Sequence, residues 1–241
     1  MFLTRPHRKV PDLTNTWAMP PYVMQWVLEC THCLKPFEPV VKQYGITTVV
    51  LGLSRLTLPL ISKLARDSDW AVVHLGTNHV VFLRRSGPTA SLANNHAITE
   101  ERFNVDEYIK RVSATDPIAA SALSKAAALL TGLGWYTASL SVWQKCIEDE
   151  PGYFQASAEM ARTYALRANR RLKQMVQADR QGNVSEAQRL EKKAMEDFNH
   201  AEKILQQVLR EHPDFLPARK NFEMLKKQLS AFQKGIILLS K

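Results

Sequence analysis

Cys30-Thr31-His32-Cys33 is the stretch of this 241-residue chain whose residue types and spacing most directly suggest chemistry. A C-x-x-C pair can cycle between dithiol and disulfide, or supply half of a tetrahedral zinc site. The redox reading wants a strand ahead of the motif, and here a helical pattern precedes it. The zinc reading wants a second ligand pair, whereas the other candidates are scattered histidines and the distant Cys146. No His follows Cys33 for haem attachment. Ordinary buried or half-buried thiols are preferred for Cys30 and Cys33, with metal binding and redox activity left open behind them. Three cysteines in all cannot build a disulfide framework.

The other catalytic vocabularies are thinner. Seven histidines form no H-E-x-x-H or related spacing. His74 and His79 flank an expected turn and can face each other across a hairpin, which reads as a structural pair before a metal site. There is no glycine-rich phosphate loop, no G-x-S-x-G elbow, and no carboxylate pair placed at strand ends. Glu100-Glu101, Asp106-Glu107 and Glu148-Asp149-Glu150 fall in a linker or at helix ends, as solvated or dipole-compensating charge. No catalytic, cofactor or metal set is therefore assigned, no small-molecule substrate is expected, and the chain reads as a non-enzyme.

Charge is the remaining lead. The formal balance is +9, from 32 Lys+Arg against 23 Asp+Glu. Its densest run is Arg162, Arg167, Arg170, Arg171 and Lys173, with no acid between Glu159 and Asp179; Arg180, Arg189, Lys192 and Lys193 follow. Such a surface could meet phosphates or anionic lipid heads. Glu186, Glu191 and Glu196 lie among the later cations, and the aromatic residues that stack on bases are missing beyond Tyr164. A solvated helix face is preferred, then contact with a protein partner, then nucleic acid or membrane.

These residues must be positioned by elements that the pattern outlines. Residues 1–20, with Pro6, Pro11 and Pro20, read as an irregular arm. Residues 21–85 read as a small α/β domain: helices over Tyr22–Leu34 and Pro36–Tyr44, the latter capped at Gly45, then a strand over Ile46–Leu51. A helix over Ser54–Ala65, a strand over Trp70–Leu75, the turn Gly76-Thr77-Asn78 and a return strand over His79–Arg84 complete it. The strand–helix–strand passage is expected to set its strands side by side under the helix, in a three-stranded unit. Residues 86–103, rich in Ser, Gly, Pro and Asn, read as a linker, so that two modules join near residue 90. No run behind Met1 resembles a signal peptide, and the apolar stretch Gly45–Ile61 is broken by Arg55 and Pro59, so the chain as written is expected to be soluble.

From Asn104 to the end everything is helical in pattern, with Asn104/Glu107 and Asp116-Pro117 as helix starts. Leu123, Ala126, Ala127 and Leu130 share one face, Gly134 marks a turn, and Tyr136, Ser139, Trp143, Cys146 and Ile147 form the facing stripe before Pro151. Over residues 120–153 this resembles a tetratricopeptide repeat (TPR) of about 34 residues. A second repeat opens at Ala156, Met160, Ala161 and Tyr164 and closes with Phe198, Ala201, Leu205, Val208, Leu209 and Pro213. It spans 154–215, about 28 residues longer than one repeat holds. The excess, 169–196, keeps helical periodicity through Phe154, Ala158, Ala161, Ala165, Ala168, Leu172 and Met175 to about Gln181. It turns at Gly182-Asn183 and returns through Val184, Ala187, Leu190 or Glu191, Ala194, Phe198 and Ala201. The expectation is a projecting antiparallel hairpin, about 14 residues and roughly 21 Å longer on each side, then a capping helix over 217–230.

The resemblance implies a non-enzymatic, TPR-like scaffold for protein–protein interaction. Leu123, Ala127, Leu130, Tyr136, Trp143, Ala161, Tyr164, Ala201 and Leu205 would then be framework residues. Tyr164, Arg167, Asn169, Arg170 and Arg171 are the expected partner-binding residues. Residues 36–85, through Asp69-Trp70-Ala71-Val72-Val73 and Val80-Val81-Phe82-Leu83-Arg84-Arg85, resemble the soluble tail of bacterial polytopic glycosyltransferase-like membrane proteins. That resemblance implies a membrane-associated accessory or tail role with a membrane-protein partner, in the cytoplasm or peripheral to the bacterial envelope. A basic nucleic-acid or anionic-surface binder is the third expectation. The fold class is α+β: a small α/β unit followed by an all-α stack with a long hairpin.

Overall fold

The structure is a computed structural model that describes residues 2–3, 29, 36–115 and 119–233. The Cys30–Cys33 motif, and the expected helix over Tyr22–Leu34 apart from Glu29, lie outside the described residues. The chain divides into two compact units, Met1–Ala138 and Ser139–Lys241, with the division falling inside the helix Tyr136–Asp149.

The first unit is built on a small antiparallel sheet. Its strands are β1 (Phe2–Leu3), β2 (Thr48–Gly52), β3 (Trp70–Leu75) and β4 (His79–Arg84). Helix α1 (Glu38–Tyr44) carries Pro39 early, where a missing N–H costs nothing, and is capped at Gly45 as expected. Helix α2 (Leu58–Arg66) is opened by a reciprocal turn in which Ser54 N donates to Thr57 Oγ1 (3.0 Å) and Thr57 N to Ser54 Oγ (3.1 Å). Period-2 alternation aims Val49, Leu51, Val80 and Phe82 into the core, where each is fully buried alongside Leu60 and Ile61 of α2.

The strands are not ordered as expected. The strand order is β1-β2-β4-β3, so β4 lies between β2 and β3, which are not neighbours. Val50 stands opposite Val81 and Val72 opposite Phe82, in antiparallel register. The tight turn, closed by Gly76 N donating to His79 O (2.9 Å), ties β4 to β3. Residues Val80 to Leu83 are apolar towards both faces, which suits a central strand. The two-residue β1 also pairs along β2 within the expected irregular arm.

Residues 86–103 are not the expected linker. They are an ordered part of this unit, holding a short 3-10 turn (Gly87–Thr89), helix α3 (Ala90–Asn95) and another 3-10 turn (Glu100–Arg102). Thr89 Oγ1 donates to Arg84 O (2.9 Å), Arg85 Nη1 to Asn94 Oδ1 (2.9 Å), and Ile98 N to Val72 O (2.7 Å). Ala93 is fully buried. The segment reads as a linker because its ties are scattered single bonds, several of them to backbone carbonyls, and one buried alanine, none of which stands out in sequence.

Helices α4 (Val105–Thr115) and α5 (Ala119–Leu133) complete the same unit, instead of joining a separate helical domain from residue 104. Asn104 Oδ1 accepts from Glu107 N (3.1 Å), the expected cap. Tyr108 OH donates to Gly76 O (2.8 Å) and Arg111 Nη2 to Leu75 O (2.8 Å), which docks α4 on the β3–β4 turn. Ser62 Oγ donates to Gly132 O (2.6 Å), and a Cβ at Gly132 would fall 2.5 Å from Leu58 Cδ1. A side chain at Gly132 would therefore push Leu58 aside where α2 and α5 meet.

The helix Tyr136–Asp149 (α6), most of which belongs to the second unit, is followed there by α7 (Phe154–Arg180), α8 (Val184–Glu211) and α9 (Leu216–Gln233). The expected long hairpin is present. Helices of 27 and 28 residues run roughly 40 Å each at 1.5 Å per residue. Their seam alternates small and large residues: Ala158, Ala161, Ala168 and Leu172 meet Ala194, Phe198, Ala201 and Leu205. Helix α9 adds Ala218 and Leu225 to that core. Nearer the tip a smaller cluster joins Ala178, Ala187 and Leu190 with Met175.

The tip follows from three residues. Gly182 has φ +75°, a left-handed conformation that strains residues with a Cβ. Gly182 N donates to Asp179 O and Asn183 N to Ala178 O, both at 2.9 Å, which closes α7. Asn183 Oδ1 then accepts from Glu186 N (3.2 Å) to open α8. Replacing Asn183 by Ala is expected to cost about 1 kcal/mol. The urea midpoint of the full chain, followed by far-UV circular dichroism, should fall, and an unchanged midpoint would show the cap to be energetically silent.

Candidate functional site

The basic run on α7 divides into two faces, and the division decides what each residue can do. Arg167 and Arg171 turn along the hairpin towards Asp197 of α8. Arg167 binds the carboxylate with two donors, Nε to Oδ2 (3.0 Å) and Nη2 to Oδ1 (2.7 Å). Arg171 Nη1 reaches Asp197 Oδ2 (2.6 Å) and Lys193 O (2.8 Å). The Asp197 side chain is 3% exposed, and the two arginines 18% and 22%. Burial lowers the pKa of Arg171, opposed by the charge of Asp197 beside it; a guanidinium stays protonated regardless.

Tyr164 belongs to the same cluster. Arg167 Cζ sits 5.3 Å from its ring centroid, and the ring of His200 stacks on it at 5.3 Å with 15° between planes. His200 Nδ1 lies 2.7 Å from Glu196 O. Each step forward on α7 (Tyr164, Arg167, Arg171) meets a step back on α8 (His200, Asp197, Lys193). The cluster thereby fixes antiparallel register. Its carboxylate is taken up by two guanidiniums, so its chemistry is that of a clamp.

Of the five expected contact residues, three (Tyr164, Arg167 and Arg171) are thus drawn into this clamp. Asn169 is half-buried, and Arg170 is exposed on the other face. The residues missed in sequence are Asp197 and His200. A signal for Asp197 was present. It stands in register with Ala194, Phe198 and Ala201, so a carboxylate occupies a seam position that demands cations. On the outward face of α7, Arg170, Lys173, Gln174, Gln177 and Arg180 are all exposed.

The expected histidine pair is present in the first unit. The rings of His74 and His79 stack at 5.4 Å between centroids, 25° apart. Partial burial lowers the pKa of His74 below 6.5, with the nearby positive charges of His79 and Arg111 adding to the effect. The folded state therefore takes up this proton less readily than the unfolded chain. Its contribution to stability is full above about pH 6.5 and is lost as pH falls through the lowered value. Urea midpoints measured near pH 8 and near pH 5.5 should differ less in His74→Asn than in the unaltered chain. An identical pH dependence would remove His74 from the account.

Cys146 is buried, and burial pushes its thiol pKa up to about 11, with Glu150 and Asp149 adding to the shift. It is held as a protonated thiol, the form that neither attacks nor ligates. Among the described residues no group of three or more His, Cys, Asp or Glu gathers as metal ligands. Among them, too, no helix is long and apolar enough to cross a membrane. Two of the acidic runs have local partners: Glu100 Oε1 accepts from Thr137 N (3.2 Å), and Asp149 pairs with Lys145 (2.6 Å). Comparison with protein-family models, with curated proteins and with solved structures found no match to this chain.

Proposed function

We propose that this chain is a non-enzymatic interaction module which presents a TPR-like helical surface, extended by the α7–α8 hairpin, to a protein or peptide partner. The observation that carries the reading is the clamped hairpin. Two helices of 27 and 28 residues are held in register by Arg167, Asp197 and Arg171, well beyond what a short repeat needs. A surface held rigid before binding loses less entropy when a partner docks. The framework expected from the repeat pattern supports the same reading: Leu123, Ala127, Leu130, Tyr136, Trp143, Ala161, Ala201 and Leu205 are all buried, which leaves other residues to face a partner.

The test is affinity capture with the intact protein against a chain in which residues 170–196 are replaced by a short turn. Captured proteins should be lost with the hairpin while α-helical circular dichroism from the remainder persists. An unchanged captured set would remove the hairpin from the binding surface. Capture of nothing by the intact protein would sink the interaction reading itself.

A further inference from the structure

The outward face of the distal half of α7 has a spacing as well as a charge. Arg170, Lys173, Gln177 and Arg180 follow one another at i, i+3, i+7 and i+10, the period of one helical stripe. All four are exposed, as is Gln174 beside them. The stripe covers ten residue steps, roughly 15 Å of helix. Arg167 and Arg171, the nearest other cations in sequence, turn away to Asp197. The outward face of α8 differs in kind, because Lys192, Glu196 and Lys203 alternate in sign along it. Along this line, from residue 170 to residue 180, every charge is positive.

Resting on the interaction reading above, we infer that this stripe of α7 docks an acidic helical segment of a protein partner, one that places carboxylates at matching one-turn intervals. Charge complementarity selects the occupant. A neighbouring helix presents side chains at the same i, i+3, i+7 spacing, so each cation meets a carboxylate without distorting either backbone. The glutamines between them supply neutral hydrogen bonds. Nucleic acid fits less well, since the stripe holds no aromatic ring on which a base would stack. An anionic membrane fits less well, since the stripe offers no apolar side chain to enter the acyl boundary.

The probe is a fluorescein-labelled, alanine-based helical peptide with glutamates at i, i+3, i+7 and i+10, titrated with the full-length protein by fluorescence anisotropy at low salt. Saturable binding is expected, weakening as salt is raised. The triple variant Arg170→Gln, Lys173→Gln, Arg180→Gln should bind about tenfold more weakly, with unchanged far-UV circular dichroism. The paired control Lys192→Gln, Lys203→Gln should bind within about twofold of the original. Absence of binding, or equal binding by the triple variant, overturns the inference. So does preferential binding of single-stranded RNA or of phosphatidylserine vesicles through the same three cations, because it changes the partner's class. If hairpin replacement abolishes protein capture while the triple variant captures normally, the interaction reading stands and the acidic partner falls.

Discussion

Asp197→Asn should destabilise the hairpin unit by about 3 kcal/mol, several times the effect of any exposed charge on the same helices. The substitution keeps the volume and planarity of the side chain, so it opens no cavity. What it removes is the negative charge that accepts from Arg167 Nε and Nη2 and from Arg171 Nη1. Two guanidiniums are then left facing each other with most of their surface out of water. Breaking a buried pair from one side costs about 3–5 kcal/mol. The arginines keep 18% and 22% exposure, which places the effect at the lower end.

A second variant separates the electrostatic account from general damage. Replacing the whole cluster, with Asp197→Leu, Arg167→Met and Arg171→Leu together, should recover much of the loss, because a well-packed apolar set needs no counter-charge. Urea unfolding of the full chain followed by circular dichroism gives both numbers. If Asp197→Asn shifts the midpoint no further than Arg170→Gln, the cluster is a surface ion pair and not a clamp.

The clamp also marks where sequence stops being legible. The helices of the hairpin were readable because their apolar period persists for seven to eight turns, and because Gly182-Asn183 is the chemistry a tight reversal needs. Gly134 was readable for the same reason: its φ of +82° strains most side chains. The seam position of Asp197 asks for a cation, but which cations it takes was not readable, since Arg167 and Asp197 are 30 positions apart and no local pattern joins them. The strand order failed on the same ground. Whether β3 or β4 lies beside β2 is settled by pairing between residues far apart in sequence, as between Val50 and Val81, and not by the hairpin signal itself. The segment 86–103 failed differently. Its composition is that of a loop, while its anchors are carbonyls of Arg84 and Val72, which have no sequence signature.

The basic run shows how much such placement changes a functional reading. As a string of residues it offers five cations of equal standing between Glu159 and Asp179. In three dimensions Arg162 pairs with Glu159, Arg167 and Arg171 hold Asp197, and Arg170 lies outward with Lys173. Arg170 and Lys173 are exposed, as are Arg162 and Arg180 on either side of them, whereas Arg167 and Arg171 are mostly withdrawn into the clamp. Charge counted along a sequence therefore overstates the charge offered to a ligand, by the fraction that the fold consumes internally.

Leu130→Asp should unfold the first unit, sheet included, at a cost of more than about 4 kcal/mol. Leu130 is fully buried on α5, in a stretch where Leu123, Ala126, Ala127, Leu129 and Leu133 are buried with it. A carboxylate there would either ionise without a partner or be held neutral at a heavy desolvation cost. The repeat pattern alone placed this helix in a stack separate from the α/β part, and on that view the damage stays within the helical half. The bond from Ser62 Oγ to Gly132 O and the close approach of Leu58 to Gly132 instead tie α5 to α2, which packs beneath β3. Amide hydrogen exchange distinguishes the two. Val80 and Phe82 on the central strand should lose protection together with residues 119–133, while residues 194–205 keep theirs. The conservative Leu130→Met should cost less than about 1.5 kcal/mol and leave all three sets protected. If Leu130→Asp releases the hairpin amides but spares the central strand, α5 belongs energetically with the helical stack, and the division of the chain near residue 138 is not its unfolding boundary.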